Sequence, residues 1–279
     1  MNKIVTSDNL KEDDVIKIVK IAKNQEIASK GGNNTCVVAD HNGKKYAVLK
    51  TRNMECYNFD SPADKSIEDE IILSGDINFK DVMFLTLLHK KDNAVPILGF
   101  CYDTETVSKY NKSAYAKGYI IQELASGKEL FKDLYGQKDK ILYAKSCLEY
   151  VKQYSKIPPE HFRDFLLNAE RISKDLMIDP SKSTNFFYDE EKGFSFIDLN
   201  FHCNGVLSKV QLANYILNLF RDRRPYIEFE TPEQEKEYRN YLLTIYGNIK
   251  EGFLSAGLTN EECDKLFEKY TFKDEIENS

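Results

Sequence analysis

The chain has 279 residues, 42% of them hydrophobic and 30% charged, with 45 acidic against 39 basic side chains and a formal net charge of −6. That is enough chain for one large domain or two modest lobes with their own cores, without help from disulfides or a structural metal. The acidic balance and the lack of a long Lys/Arg block argue against nucleic-acid binding, which needs concentrated positive charge.

The chain opens on a polar lead, MNKIVTSDNLKEDD, without the apolar core of a secretory leader, and no segment approaches the roughly 20 apolar residues of a membrane span. Both features point to a cytoplasmic protein. Val15 to Ile27 reads as a brief helix or strand. Thr35 to Ala39 and Tyr46 to Leu49 are apolar and rich in β-branched residues, and Asp40-His41-Asn42-Gly43 between them is turn chemistry, so a hairpin is expected, with Lys50 at its end. Residues 51 to 66 show no periodicity. Ile67 to Leu73 and Phe79 to His89 look helical, the second with Phe79, Val82, Met83 and Leu87 on one face. A strand pair follows, Val95 to Tyr102 and Gly118 to Leu124, joined by a polar connection.

Past Gly127 the pattern turns helical. Pro158-Pro159 opens a helix whose apolar face is Phe162, Phe165, Leu166, Ala169, Ile172 and Leu176. One apolar hairpin interrupts the helices, Asn185 to Tyr188 and Phe194 to Leu199, turning through Asp189 to Gly193. Further helices are expected over Ser208 to Phe220, over Pro232 to Ile249 after a Thr231/Gln234 capping box, and over Glu261 to Tyr270 after a Thr259/Glu262 box. The result is an α+β organisation, strand-rich over residues 1–125 and mainly helical over 126–279.

Six cysteines, at 36, 56, 101, 147, 203 and 263, lack CxxC pairs and a histidine-spaced set, so most read as small buried hydrophobes rather than zinc ligands. His89 and His161 read as structural. The cluster Arg221-Asp222-Arg223-Arg224 reads as a solvated helix end.

Several blocks carry possible chemistry. The first is Asp179-Pro-Ser-Lys182-Ser-Thr-Asn185-Phe-Phe-Tyr with Gly193-Phe-Ser-Phe-Ile-Asp198-Leu-Asn. An aspartate ending an apolar strand is costly without a partner or a metal. The others are Tyr46-Ala-Val-Leu-Lys50, the small-residue stretch Ser29-Lys-Gly31-Gly32, the passage Phe79 to His89 with Asp81, and Gly118-Tyr-Ile-Ile-Gln-Glu123-Leu-Ala125. Taken singly, Lys50 is a surface lysine, Gly31-Gly32 a turn and Asn185 a cap. In order and spacing together, the blocks resemble the protein-kinase-like superfamily along nearly the whole chain.

That resemblance implies a two-lobed fold, a β-rich N-lobe over 1–125 that binds nucleotide and a mainly helical C-lobe over 126–279 that carries the catalytic loop and metal site. It implies that Asp179 orients the acceptor hydroxyl, that Lys182 is the catalytic-loop lysine, and that Asn185 and Asp198 hold Mg²⁺ or Mn²⁺. Lys50 would contact the ATP phosphates, as the lysine of the V-A-I-K strand does. Gly31 and Gly32 would approach the phosphates, and Glu123 and Ala125 would offer backbone groups to adenine. The acidic partner of Lys50 is either Asp81, favoured by the register to His89, or Glu70, favoured by its distance in sequence. Three features depart from the family: one extra residue between Asp179 and Asn185, Met177-Ile178 in place of His-Arg, and Asp-Leu-Asn in place of Asp-Phe-Gly. After Asp198 a helix resumes by Ser208 and no A-P-E occurs, which resembles aminoglycoside-phosphotransferase-like kinases and minimal bacterial effector kinases. The implied partners are ATP and a hydroxyl on a protein or a small molecule, and the second likeness leaves delivery into a host cell open. A pseudokinase that binds nucleotide or a partner without catalysis is the alternative reading.

Overall fold

The computed structural model describes residues 2–30, 34–58, 79–110, 113–131, 134, 138–179, 182–201 and 206–268. The protein is α+β, and it divides into two compact units, residues 1–125 with 199–201 and residues 126–198 with 202–279.

The first unit is built on a six-stranded antiparallel sheet in the order β1-β5-β6-β4-β3-β2. Its strands are β1 (Asn2–Thr6), β2 (Ser29–Lys30), β3 (Asn34–His41), β4 (Lys44–Asn58), β5 (Ile97–Tyr110) and β6 (Ser113–Glu123), with helix α1 (Glu12–Lys23) between β1 and β2. Asn42 and Gly43 make the β3–β4 turn with φ of 56° and 75°, the left-handed pair that a two-residue hairpin loop requires. Helix α2, described over residues 79–88, follows β4.

Each face of the sheet is covered by its own helix. Val15, Ile18, Val19 and Ala22 of α1 pack with Val37, Ala39, Tyr46, Val48, Cys101 and Ile121. Phe79, Val82 and Met83 of α2 pack on the other face with Ile97, Phe100, Tyr102 and Ala116, and the Phe79 ring stacks on Phe100 at 4.2 Å. The alternation of strand side chains explains the division, since neighbours such as Phe100 and Cys101 point to opposite faces.

Several elements differ from the sequence reading. The polar lead holds β1, which pairs with β5 along Asn2 to Thr6. The stretch without periodicity continues β4 to Asn58, and the polar connection after Tyr102 continues the β5–β6 hairpin. Strand here comes from the ladder of backbone bonds with a neighbour, which does not depend on the side-chain pattern. Leu87 faces solvent, and Thr86 takes the buried place, where its Oγ1 accepts from the Ile97 amide at 3.1 Å. The helix expected over Ile67 to Leu73 lies outside the described residues.

The second unit carries β7 (Lys128–Glu129), α3 (Lys140–Tyr154), α4 (Pro159–Ile172), β8 (Leu176–Met177), β9 (Phe186–Asp189), β10 (Gly193–Phe196), α5 (Lys209–Leu219), α6 (Pro232–Ser255) and α7 (Asn260–Phe267). The two-residue β11 (Asn200–Phe201) belongs to the first unit. The core of the second unit is aromatic. Phe165 of α4 stacks on Phe194 at 4.3 Å and meets Phe186 edge-on at 5.1 Å, so both strands of the β9–β10 hairpin are pinned to α4. α3, capped by Asp139, has no clear signal in the sequence, because its apolar stripe is broken by lysines and tyrosines. α7 has the full Thr259/Glu262 capping box. α6 has half of the expected one: Thr231 accepts from the Gln234 amide, while the Gln234 side chain accepts from Glu230 instead.

The arginine cluster is more than a solvated helix end. Arg223 is half-buried, with its guanidinium 4.9 Å from the centre of the Phe131 ring and its amide donating to Tyr238 Oη at 3.1 Å. Cys101, Cys147 and Cys263 are buried, and burial pushes the Cys147 thiol up to about 11, so it stays protonated and acts as an apolar side chain. No helix among the described residues is long and apolar enough to cross a membrane.

Candidate functional site

The β9–β10 hairpin brings four of the expected site residues to one place in the second unit. The two strands pair Phe186 with Phe196, and one step further the Asn185 carbonyl accepts from the Ile197 amide at 3.0 Å. Asp198 is the next residue. Asn185 is 5% exposed, and its Nδ2 donates to the Asp179 carbonyl at 3.1 Å. This bond ties the segment ahead of the 3₁₀ turn Ser183–Asn185 to the mouth of the hairpin. Lys182 Nζ lies 3.0 Å from Asp179 Oδ2.

Asp198 has φ of 55°, the left-handed region in which a residue other than glycine is uncommon. That conformation turns the chain out of the β10 direction directly after the apolar run. More than a third of the residue is open to solvent, yet its carboxyl is crowded enough that desolvation raises its pKa above the ordinary aspartate value. Lys182 opposes the shift and the negative charge of Asp179 adds to it. The Lys182 pKa is raised, chiefly by the hydrogen bond to Asp179 and further by the charges of Asp179 and Asp198, against desolvation. One cation thus serves two carboxylates.

The donor set suits a hard divalent cation. Among the described residues Asn185 Oδ1 accepts no hydrogen bond, and the side chain bonds to them only through Nδ2. Asp198 adds a carboxylate whose desolvation a cation would offset. No three His, Cys, Asp or Glu side chains converge as a metal cluster among the described residues. One amide oxygen and one carboxylate are nevertheless the few protein ligands that Mg²⁺ takes when phosphates and water complete its shell.

The expected residues of the first unit fall out differently. Lys50 lies on β4 opposite Thr35 and Tyr119, exposed, on the same sheet face as Val48 and Tyr119 and therefore on the face that α1 covers. Asp81 is exposed on α2, which covers the opposite face. The sheet separates them, so Asp81, one of the two expected partners, does not pair with Lys50, and neither makes an ion pair with a described residue. The register to His89 gave no sign of this, because a one-residue step along a strand moves a side chain to the other face. Glu123 points its carboxylate at Lys90, 2.8 Å away, and Lys44, 3.8 Å away, while its amide donates to the Pro96 carbonyl at 2.9 Å. That amide is occupied, whereas the Ala125 backbone makes no hydrogen bond with the described residues. Gly31, Gly32, Glu70, Pro180 and Ser181 lie outside the described residues.

Two residues at the turn end of the same hairpin carry no clear signal in the sequence. Gly127 has φ of 81°, and a Cβ there would run into the Tyr188 carbonyl. Lys192 lies in the turn of the hairpin, and its Nζ donates to Ser126 Oγ at 3.0 Å. A glycine after a serine is the only local signal for the first, and it is shared by many plain turns. No protein-family model matches the chain, and no curated protein matches it.

Proposed function

We propose that the protein is an ATP-dependent phosphotransferase that moves the γ-phosphoryl group to a hydroxyl of a protein or small-molecule acceptor, in a kinase-like two-lobed arrangement. The observation that carries the reading is the convergence of Asp179, Lys182, Asn185 and Asp198 about one hairpin mouth, with Asp198 in a left-handed conformation. Strained backbone of this kind persists where surrounding structure enforces it, and such positions cluster at functional sites.

Asp179 would accept the proton of the acceptor hydroxyl as the new O–P bond forms and the bond from the γ-phosphorus to the bridging oxygen of ADP breaks. Asn185 Oδ1 and the Asp198 carboxylate would hold Mg²⁺ or Mn²⁺, which when bound neutralises charge on the phosphates. Lys182 would orient the Asp179 carboxylate. Lys50 would bind phosphate oxygens.

A pseudokinase has one observation in its favour. Lys50 and Asp81 lie on opposite faces of the sheet, so a phosphate-binding lysine would not have Asp81 as its partner. Transfer from radiolabelled ATP, to the protein itself and to a panel of sugars, aminoglycosides and peptides, separates the readings. The enzyme reading expects label on at least one acceptor with Mg²⁺ or Mn²⁺. Nucleotide binding without transfer supports the pseudokinase, and no thermal stabilisation by millimolar ATP with either metal rejects the enzyme and any nucleotide-binding pseudokinase, leaving only a partner-binding one.

A further inference from the structure

Residues 126–130 run as a strap along β9 and end beside the site. Ser126 Oγ accepts from Lys192 Nζ at 3.0 Å at the outer end. Gly127 lies against the Tyr188 carbonyl, and Lys128 and Glu129 pair with Tyr188 and Phe187. The Leu130 amide donates to the Phe186 carbonyl at 3.1 Å, and the next residue inward is Asn185. Phe131 then leaves the strap with φ of 55°, a rare conformation for a bulky residue, its amide held by Tyr154 Oη at 3.1 Å. The strap is therefore fixed at both ends and hydrogen-bonded between them. Only glycine suits position 127, since φ of 81° and the lack of room for a Cβ both exclude a side chain.

We propose that this strap is a positioning element of the site and that Gly127 is the residue that lets it act. By holding β9 in register it fixes the Asn185 backbone, whose carbonyl receives the Ile197 amide and whose side chain is oriented through Asp179. A shift of β9 moves Asn185 Oδ1 and, through Ile197, the turn at Asp198. Lys128 is exposed, and Ser126 and Glu129 are half-buried, so the strap up to that point adds little to the core and its effect is on geometry. The proposal rests on the phosphotransferase reading for its metal, and on the hydrogen bonds alone for its mechanics.

Two readouts on the full chain test it. In Gly127→Ala, hydrogen exchange at the Ile197 amide should accelerate, and the Mn²⁺ concentration that half-saturates ATP-dependent thermal stabilisation should rise about 10-fold, the usual size for losing support behind a metal ligand. Ser126→Ala, which removes only the outer rung, should shift both in the same direction by less, and it decides the matter if Gly127→Ala does not fold. Unchanged Ile197 exchange overturns the proposal. Faster exchange with an unchanged Mn²⁺ midpoint also overturns it, because the strap would then be structural only. A wild-type protein that takes up no metal and nucleotide overturns the phosphotransferase reading and the positioning role with it. The Ile197 exchange tells that failure from a failure of the strap.

Discussion

Asn185 holds Asp179 through the backbone rather than the carboxylate: its Nδ2 donates to the Asp179 carbonyl at 3.1 Å, and the Asp179 carboxylate pairs with Lys182, 3.0 Å away. The extra residue between the two positions, compared with the kinase spacing, therefore does not send Asp179 into the core. Its side chain is 31% exposed.

Asp179→Asn should lower kcat by about 10²–10⁴-fold, the range for a general base, with a much smaller change in the KM for ATP. Steady-state kinetics on the best acceptor from the labelled-ATP panel measures both. A change confined to KM would take the role of base away from Asp179.

Asp198→Gly should stabilise the metal-free protein by about 1 kcal/mol, because glycine adopts φ of 55° without the cost that a side chain carries there. Phosphoryl transfer should be lost in the same variant. Chemical denaturation beside the transfer assay reads the two effects. A destabilised variant would mean that the carboxylate contributes more through its contacts than the backbone costs.

The raised pKa of Asp198 fixes the sign of a pH effect. In the folded protein the carboxyl binds its proton more tightly than in the unfolded chain, so its stabilising contribution is fully present below the ordinary aspartate value of 3.8 and is lost as pH rises through the raised folded value. Without metal, Asp198→Asn should match the wild type in Tm at the acidic end and gain on it as pH rises through that window. Saturating Mn²⁺ with ATP should reverse the order above the window, since only the wild type keeps the ligand. Parallel Tm curves would show that the group does not titrate differently on folding.

Asp81→Ala should leave the affinity for ATP unchanged and stability within about 0.5 kcal/mol, as for an exposed side chain without an ion-pair partner among the described residues. Calorimetric titration with nucleotide checks it. A tenfold weaker affinity would mean that Asp81 reaches the nucleotide despite standing on the helix opposite Lys50.

The residues of the second unit were legible because their spacing along the chain is itself the geometry. An antiparallel hairpin turning through Asp189 to Gly193 must bring Asn185 beside Ile197, so Asn185 and Asp198 meet whatever the rest of the fold does. The capped helix ends at Thr231 and Thr259 were legible for the same reason, each resting on neighbours within four residues. Lys50 and Asp81 are thirty-one positions apart, and their relation depends on which face of a sheet each helix covers. Local pattern does not carry that, because α1 and α2 are both amphipathic and the packing of Phe79 on Phe100 and of Val15 and Ile18 behind Val48 makes the choice. Gly127 is the same case in miniature. The sequence alone determined that a serine and a glycine follow the apolar run ending at Leu124 and Ala125, and only the approach of the Tyr188 carbonyl, sixty-one residues on, decided that no other residue can stand there.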